Sequence, residues 1–449
     1  MGKVICSLLA YLFMLGTALS QTKAIGTKSK TGTQTKKKAA QTKLTDTASI
    51  APDATREARI AYYRKVQNIY VNNYLSQPLH KDTEKDWILA FGGMLNVGFS
   101  SSLAKDRLHY AFADIGNRSA VFQESLLELL YTIYPDEFQE DINKLLFETK
   151  DPKTFALCVE YLMRDSIYVV DKSYFQNLLD QKRRSDPNNF VYQVLEQRLQ
   201  ENVYPGTPPL GDLLKFDFVK GYVVLFSIQS SNRNYPGLIL IRKADGKFLR
   251  NPDNSLFYVT QVARSITNLP FYFNSGNTPQ GIYRIGGFES SKSEFIGPTE
   301  GIKLLMPEEA KLSLFNPRIK DTTIYWNSLF YKNLMPLSWR KYEPFYESFY
   351  AGMSGRKGIK AHGTTVNPEY YAGKPWYPLT LFTGSLSTKE LWDEKTGKRI
   401  ESDQYKLIRA MKKLGKPEGF LIVVDIDNQD KPVDISQVNQ LIESLESGL

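Results

Sequence analysis

The stretch NTPQGIYRIGG, residues 277–287, reads as a turn running into a strand. Pro279 and Gly281 are turn chemistry, while Tyr283 and Ile285 alternate onto one face, with Arg284 on the other. Upstream lie KGYVVLFSIQ (220–229), GLILIRKADGKFL (237–249) and SLFYVTQVA (255–263). These are short runs rich in Val, Ile, Tyr and Phe, with Ala244-Asp245-Gly246-Lys247 as a turn between strands. Downstream, GFLIVVDID (419–427) reads as a late buried strand. DISQVNQLIESLES (434–447) reads as a closing helix with Asp434 or Ser436 near its cap. Together they predict a mostly β domain over 216–449.

Two further stretches of this domain carry candidate chemistry: AHGTT (361–365) and TGSLS (383–387). If 383–387 is extended, Ser385 and Ser387 point to one face and Leu386 to the other, where it anchors the segment in the core. Gly384 lets the backbone turn sharply, both hydroxyls can face His362, and neighbouring N–H groups can form an oxyanion hole. Each residue also has an ordinary reading. His362 is a hydrogen-bonded turn residue, Ser385 a small residue in a tight turn, and Thr364 and Thr365 bond the backbone locally. Arg284 meets a carboxylate or lies on a solvated strand face. Arg356, Lys357 and Lys360 attract an anionic ligand or form a solvated basic loop.

In this order, the opening hairpin, TPQGIYRI and the His-Gly and Gly-Ser pair resemble the L,D-transpeptidase (YkuD-like) catalytic domain over roughly 216–427. The resemblance implies an enzyme fold that cleaves the peptidoglycan stem peptide through a thioacyl intermediate, with the histidine activating a cysteine. His362 matches that histidine and Gly384 the glycine before the nucleophile. Ser385 stands where the cysteine belongs, Phe382 at a Ser/Thr position, and Ser387 at an Arg/Asn position. A thiol near pKa 8.5 becomes a thiolate beside an imidazolium; a hydroxyl instead needs a well-placed base and an oxyanion hole. The resemblance thus implies recognition of stem peptides through His362, Gly363, Thr364, Gly384, Ser387 and Arg284, with catalysis impaired at Ser385. Two alternatives stand beside it: an active acyl transferase using Ser385 with His362 as base, and a scaffold that acts through a protein partner of the helical half.

From Tyr325 to Tyr350 there are ten aromatics in 26 residues, and Tyr342, Phe345, Tyr346, Phe349 and Tyr350 recur at helical spacing. This aromatic insertion, about 306–358, reads as a helix packed on the sheet or as a lid beside a cleft. Ahead of the β domain, residues 50–203 are helical in pattern, as in SAVFQESLLELLYTIY (119–134) and FVYQVLEQRL (190–199). YPGTPPLGD (204–212) opens a linker, 204–215. The fold class expected is α+β: an all-α domain followed by the L,D-transpeptidase-like domain.

MGKVICSLLAYLFMLGTALS (1–20) has the pattern of a secretory signal peptide, which places the protein in the periplasm or cell envelope. Residues 21–49 are a Lys/Thr-rich tether expected to be disordered. The net charge is +9, and Lys3 with the seven lysines from Lys23 to Lys43 supplies most of it. The charge is thus a tail property, which argues against a nucleic-acid groove. No later stretch is apolar for the roughly 18 residues a membrane helix needs. Of the two cysteines, Cys158 lies in an apolar helical run and reads as a core thiol, and Cys6 leaves with the signal. The three histidines, His80, His109 and His362, are far apart in sequence and lack ligand spacing, so no metal or cofactor is expected.

Overall fold

A computed structural model describes residues 49–164, 171–200, 206–215, 220–321, 323–366, 384–415, 418–426 and 430–447. The signal peptide, nearly all of the tether, and Phe382 lie outside the described residues.

The helical half comprises α1 (Arg56–Lys65), a π-helical continuation over Val66–Tyr74, α2 (Glu84–Val97), α3 (Ser102–Phe112) and α4 (Ala120–Ile133). It continues with α5 (Gln139–Glu148), α6 (Pro152–Leu162), α7 (Lys172–Ser185) and α8 (Phe190–Leu199). Apolar residues at helical spacing bury Trp87, Phe91, Phe122, Leu126, Leu130 and Phe155 in one core. Cys158 is fully buried there, and burial pushes its thiol pKa up, as expected of a core thiol.

The second half is a closed eight-stranded barrel with strand order β1-β10-β4-β5-β6-β7-β3-β2. Its strands are β1 (Val223–Gln229), β2 (Gly237–Arg242), β3 (Tyr258–Val262), β4 (Gly281–Glu289), β5 (Gly301–Leu305), β6 (Lys360–His362), β7 (Leu386–Thr388) and β10 (Gly419–Asp425). A separate hairpin pairs β8 (Glu390–Trp392) with β9 (Arg399–Ser402). The β1–β10 and β6–β7 pairs are parallel and the others antiparallel. The expected turn at Ala244–Lys247 follows β2, with the Lys243 N–H donating to Lys247 O at 2.8 Å.

Alternation along the strands makes two cores. Leu225, Ile239, Tyr283, Leu304, Ala361, Leu386 and Leu421 face inward. Val224, Phe226, Ile282, Phe420 and Ile422 face outward, under the insertion and under α14 (Ile435–Ser447) through Val438 and Ile442. This second burial leaves β1 and β10 buried along their whole length. Asp434 caps the closing helix by accepting from the Ser436 N–H at 2.8 Å.

The insertion holds short helices α10 (Leu312–Phe315), α11 (Ser328–Lys332) and α12 (Glu347–Met353), the last entered through a 3₁₀ turn at Glu343–Tyr346 with Pro344 in its first turn. Its aromatics pack on the sheet, with Phe345, Tyr346 and Phe349 buried. Within the stretch expected as a linker, Leu210–Leu214 forms helix α9 and buries Leu213 and Leu214 in the outer barrel core.

The two halves share their cores. Leu269, Tyr272 and Phe273, between β3 and β4, sit in the helical core. The Tyr272 hydroxyl donates to Glu160 at 2.9 Å, and Arg198 grips the same carboxylate through two of its nitrogens. At the other end, the Ala51 N–H donates to Gly397 O at 2.8 Å and the Arg56 N–H to Glu394 O at 2.9 Å.

Candidate functional site

His362 ends β6, and the parallel neighbour β7 sets it opposite Ser387, with Ala361 opposite Leu386. Ala361 and Leu386 point into the barrel core, so His362 and Ser387 share the opposite face. Of the stretch 383–387 expected to be extended, only Leu386 and Ser387 lie in strand β7, with Leu386 as the core anchor; Gly384 is left-handed at φ +59°, and Thr383 lies outside the described residues. His362, Ser385 and Ser387 are all buried.

The histidine ring is oriented by its own chain. Nδ1 lies 2.6 Å from Gly363 O, and a carbonyl only accepts, so Nδ1 carries the proton. Nε2 keeps its lone pair and has no hydrogen-bond partner among the described residues. Burial lowers the pKa to about 4, with Lys360 acting in the same direction and the Gly363 carbonyl against it. The imidazole is thus neutral at neutral pH.

Ser385 Oγ accepts the Lys360 N–H at 3.3 Å. It makes no hydrogen bond to the His362 ring, since Nδ1 is on Gly363 and Nε2 has no partner. The hydroxyl and the base share a region without forming the nucleophile–base pair that serine chemistry requires.

The two glycines are explained by close approach. A methyl on Gly363 would lie 2.0 Å from Glu390 Oε2. Gly384 has φ +59°, and a methyl there would lie 1.6 Å from Gly276 O. Gly384 O accepts from Thr278 Oγ1 at 2.6 Å and from Arg356 Nη2 at 3.3 Å. Thr278 belongs to the TPQG turn, so the stretch that leads into β4 also holds the serine loop.

Thr364 is buried, accepts the Val366 N–H at 3.0 Å, and its carbonyl accepts Trp392 Nε1 at 2.8 Å. Thr365 donates to Glu294 O at 2.5 Å and accepts from Arg59 of α1, so the helical half touches this loop. Arg284 lies elsewhere. It sits on β4, with β5 between it and β6, donates to Gly419 O at 3.1 Å and covers the rings of Phe420 and Tyr222.

The basic loop before His362 requires a correction. Arg356 is fully buried and donates to Gly276 O at 2.8 Å, Asn277 O at 2.7 Å and Phe271 O. Burial lowers its pKa to about 10, which leaves it cationic. It is a buried backbone anchor, so it neither attracts a ligand at a surface nor lies in a solvated loop. Lys360 pairs with Glu289.

Sequence reasoning missed Glu390. This fully buried carboxyl accepts from Thr299 Oγ1 at 2.6 Å and Ser402 Oγ at 2.5 Å, and lies against Gly363. Burial raises its pKa to about 7. Its only sequence signal is a period of two through Thr388, Glu390 and Trp392, interrupted where Lys389 separates β7 from β8. Gln404, at the start of helix α13 (Asp403–Lys413), was also missed: it donates to Ala361 O at 3.1 Å and accepts from Thr388 Oγ1 at 3.0 Å. Among the described residues, no group of three His, Cys, Asp or Glu side chains could hold a metal ion. Comparison of the chain with protein-family models, with curated proteins and with solved structures finds no match in any of the three.

Proposed function

We propose that this is an exported cell-envelope protein with an L,D-transpeptidase-like barrel, which recognises peptidoglycan stem peptides at the His362–Ser387 site without turning them over. One observation carries the reading. The parallel β6–β7 pair sets His362 beside a serine loop, yet Ser385 Oγ is held by the Lys360 N–H rather than by the imidazole. The order of TPQGIYRI, His-Gly and Gly-Ser supports the family, and Thr278 to Gly384 O joins the first of these to the last. Burial supports the loss of thiol chemistry, because it disfavours the imidazolium that a thiolate pair needs.

A second reading, acyl transfer by a site hydroxyl, draws on one feature. His362 Nε2 presents an unpaired basic nitrogen on the face it shares with Ser387. The two readings separate in one experiment. Purified protein is mixed with isolated sacculi and with muropeptides, as the native chain and as Ser385→Cys. Retention on sacculi without turnover by the native chain is the expected result. Turnover by the native chain would establish the acyl transferase instead, and no retention would remove both.

A further inference from the structure

The insertion between β5 and β6 buries Phe315, Trp326, Tyr331 and Trp339 against the barrel. It leaves Leu314, Ile324, Tyr325, Leu329 and Leu337 exposed to solvent. Tyr325 is 86% exposed, Leu337 79% and Leu329 62%; among the described residues only Ile400, at 67%, is a comparably exposed large apolar side chain. Single exposed apolar residues are ordinary, but this concentration within one layer is not.

The layer that carries these side chains is firmly held. Trp326 Nε1 donates to Ala310 O at 2.8 Å, Trp339 Nε1 to Pro209 O at 3.3 Å and Arg340 Nε to Met335 O at 3.1 Å. The exposed side chains thus belong to an anchored layer.

Charge identifies the occupant. Between residues 311 and 341 lie six cations, Lys311, Arg318, Lys320, Lys332, Arg340 and Lys341, and one acid, Asp321. Asp321 is engaged locally, accepting from the Thr323 N–H at 2.8 Å and its hydroxyl at 2.6 Å. None of the six cations forms an ion pair among the described residues. Exposed apolar side chains interspersed along the chain with cations that form no ion pair match a bilayer surface: the apolar side chains enter below the headgroups while Lys and Arg stay with the phosphates.

We infer that the exposed face of the insertion, residues 311–341, docks on a bilayer that carries anionic headgroups. No helix among the described residues is long and apolar enough to cross a membrane, so this face lies on the bilayer. The inference is independent of the proposed ligand of the barrel.

The test is flotation of the full chain with vesicles of phosphatidylcholine alone and of an equimolar mixture with phosphatidylglycerol. The lysine tail also attracts anionic lipid, so the informative variant keeps the tail and replaces Leu329→Asp and Leu337→Asp together. Binding to the mixed vesicles is expected, weakened about tenfold or more in this variant, since both charges would have to enter the interface. A polarity-sensitive dye at Tyr325→Cys, in a Cys6→Ser background with Cys158 buried, is expected to shift to the blue on the same vesicles. Unchanged flotation of the double variant, or a silent dye, would assign binding to the tail and overturn the inference. Self-association abolished by the double variant, with no vesicle binding, would assign the face to a second copy and overturn it equally. Circular dichroism melting checks that these surface variants stay folded.

Discussion

In the helical half, most helices begin on a short polar side chain that is their neighbour in sequence. Thr55, Ser101, Ser119, Asp151, Asp171 and Asn189 each accept an N–H two or three residues ahead. At the barrel site, the carbonyls of Gly276 and Gly384 are met by Arg356, 80 and 28 residues away. The contrast follows from where each backbone runs. A helix satisfies its own interior and leaves only its ends open. An irregular loop buried between strands has no such partners, so a side chain must be brought in from elsewhere in the chain. Local satisfaction tolerates change; imported satisfaction concentrates risk in single residues.

Replacing Arg356 with Met is the severest test of that contrast. It removes a donor from four carbonyls, those of Phe271, Gly276, Asn277 and Gly384, and is expected to destabilise the protein by about 3–5 kcal/mol, read from denaturant midpoints. Arg356→Lys should recover little, because one ammonium cannot reproduce the guanidinium fork. A loss below 1 kcal/mol would show that the loops find other partners.

Gly384→Ala comes next. A β-carbon there meets Gly276 O at a left-handed φ, and roughly 2–4 kcal/mol should be lost. Gly363→Ala is a sharper version, because its clash is with a side chain. Its penalty should shrink in a Glu390→Ser background, with a double-mutant coupling of about 1–3 kcal/mol.

Glu390 adds a dependence on pH. Its folded pKa, about 7, stands above the unfolded carboxyl value near 4.3, so the folded state binds the extra proton between them. Its contribution to stability is full below pH ~4.3 and is lost as pH rises through about 7. Glu390→Gln mimics the protonated form. It should match the native protein near pH 4 and exceed it by up to about 3 kcal/mol near pH 8. The imidazole of His362 works in the opposite sense: its folded pKa, about 4, lies below the unfolded value, so its contribution is present above pH ~6.5 and lost as pH falls through about 4. Nitrogen NMR should show a neutral ring protonated on Nδ1 throughout the range above that; an imidazolium at pH 6 would contradict the burial argument.

The smallest effect belongs to the helical half. Asp151→Ala removes the cap of α6, in which Asp151 accepts the Thr154 N–H at 2.8 Å, and should cost about 1 kcal/mol. A loss as large as that of Arg356→Met would erase the distinction between the two halves.

These differences also explain what could be read in advance. Caps such as Asp434, the turn at Ala244–Lys247, and β1, β2, β4 and β10 were legible because each is a local pattern. The π-helical run over Val66–Tyr74 was not, since its period departs from 3.6 by less than the pattern resolves. Strands β6 and β7 have three residues each, too few for periodicity, although the His-Gly and Gly-Ser positions marked their places. Helix α9 was hidden because its Pro and Gly neighbours read as a boundary while its apolar partners lie on α14.

By itself the sequence determined that 50–203 is helical, that β1, β2, β4 and β10 are strands, where the closing helix starts, and that Cys158 and Leu386 are core residues. Those properties depend on neighbours within a few positions. Only the tertiary structure decided that the sheet closes into a barrel, that Arg356 is a buried anchor, that Glu390 sits under Gly363, and that Ser385 bonds to a backbone N–H rather than to His362. Each of those depends on groups tens to hundreds of residues apart, placed within hydrogen-bond reach by strand order and packing, and no local periodicity encodes that distance.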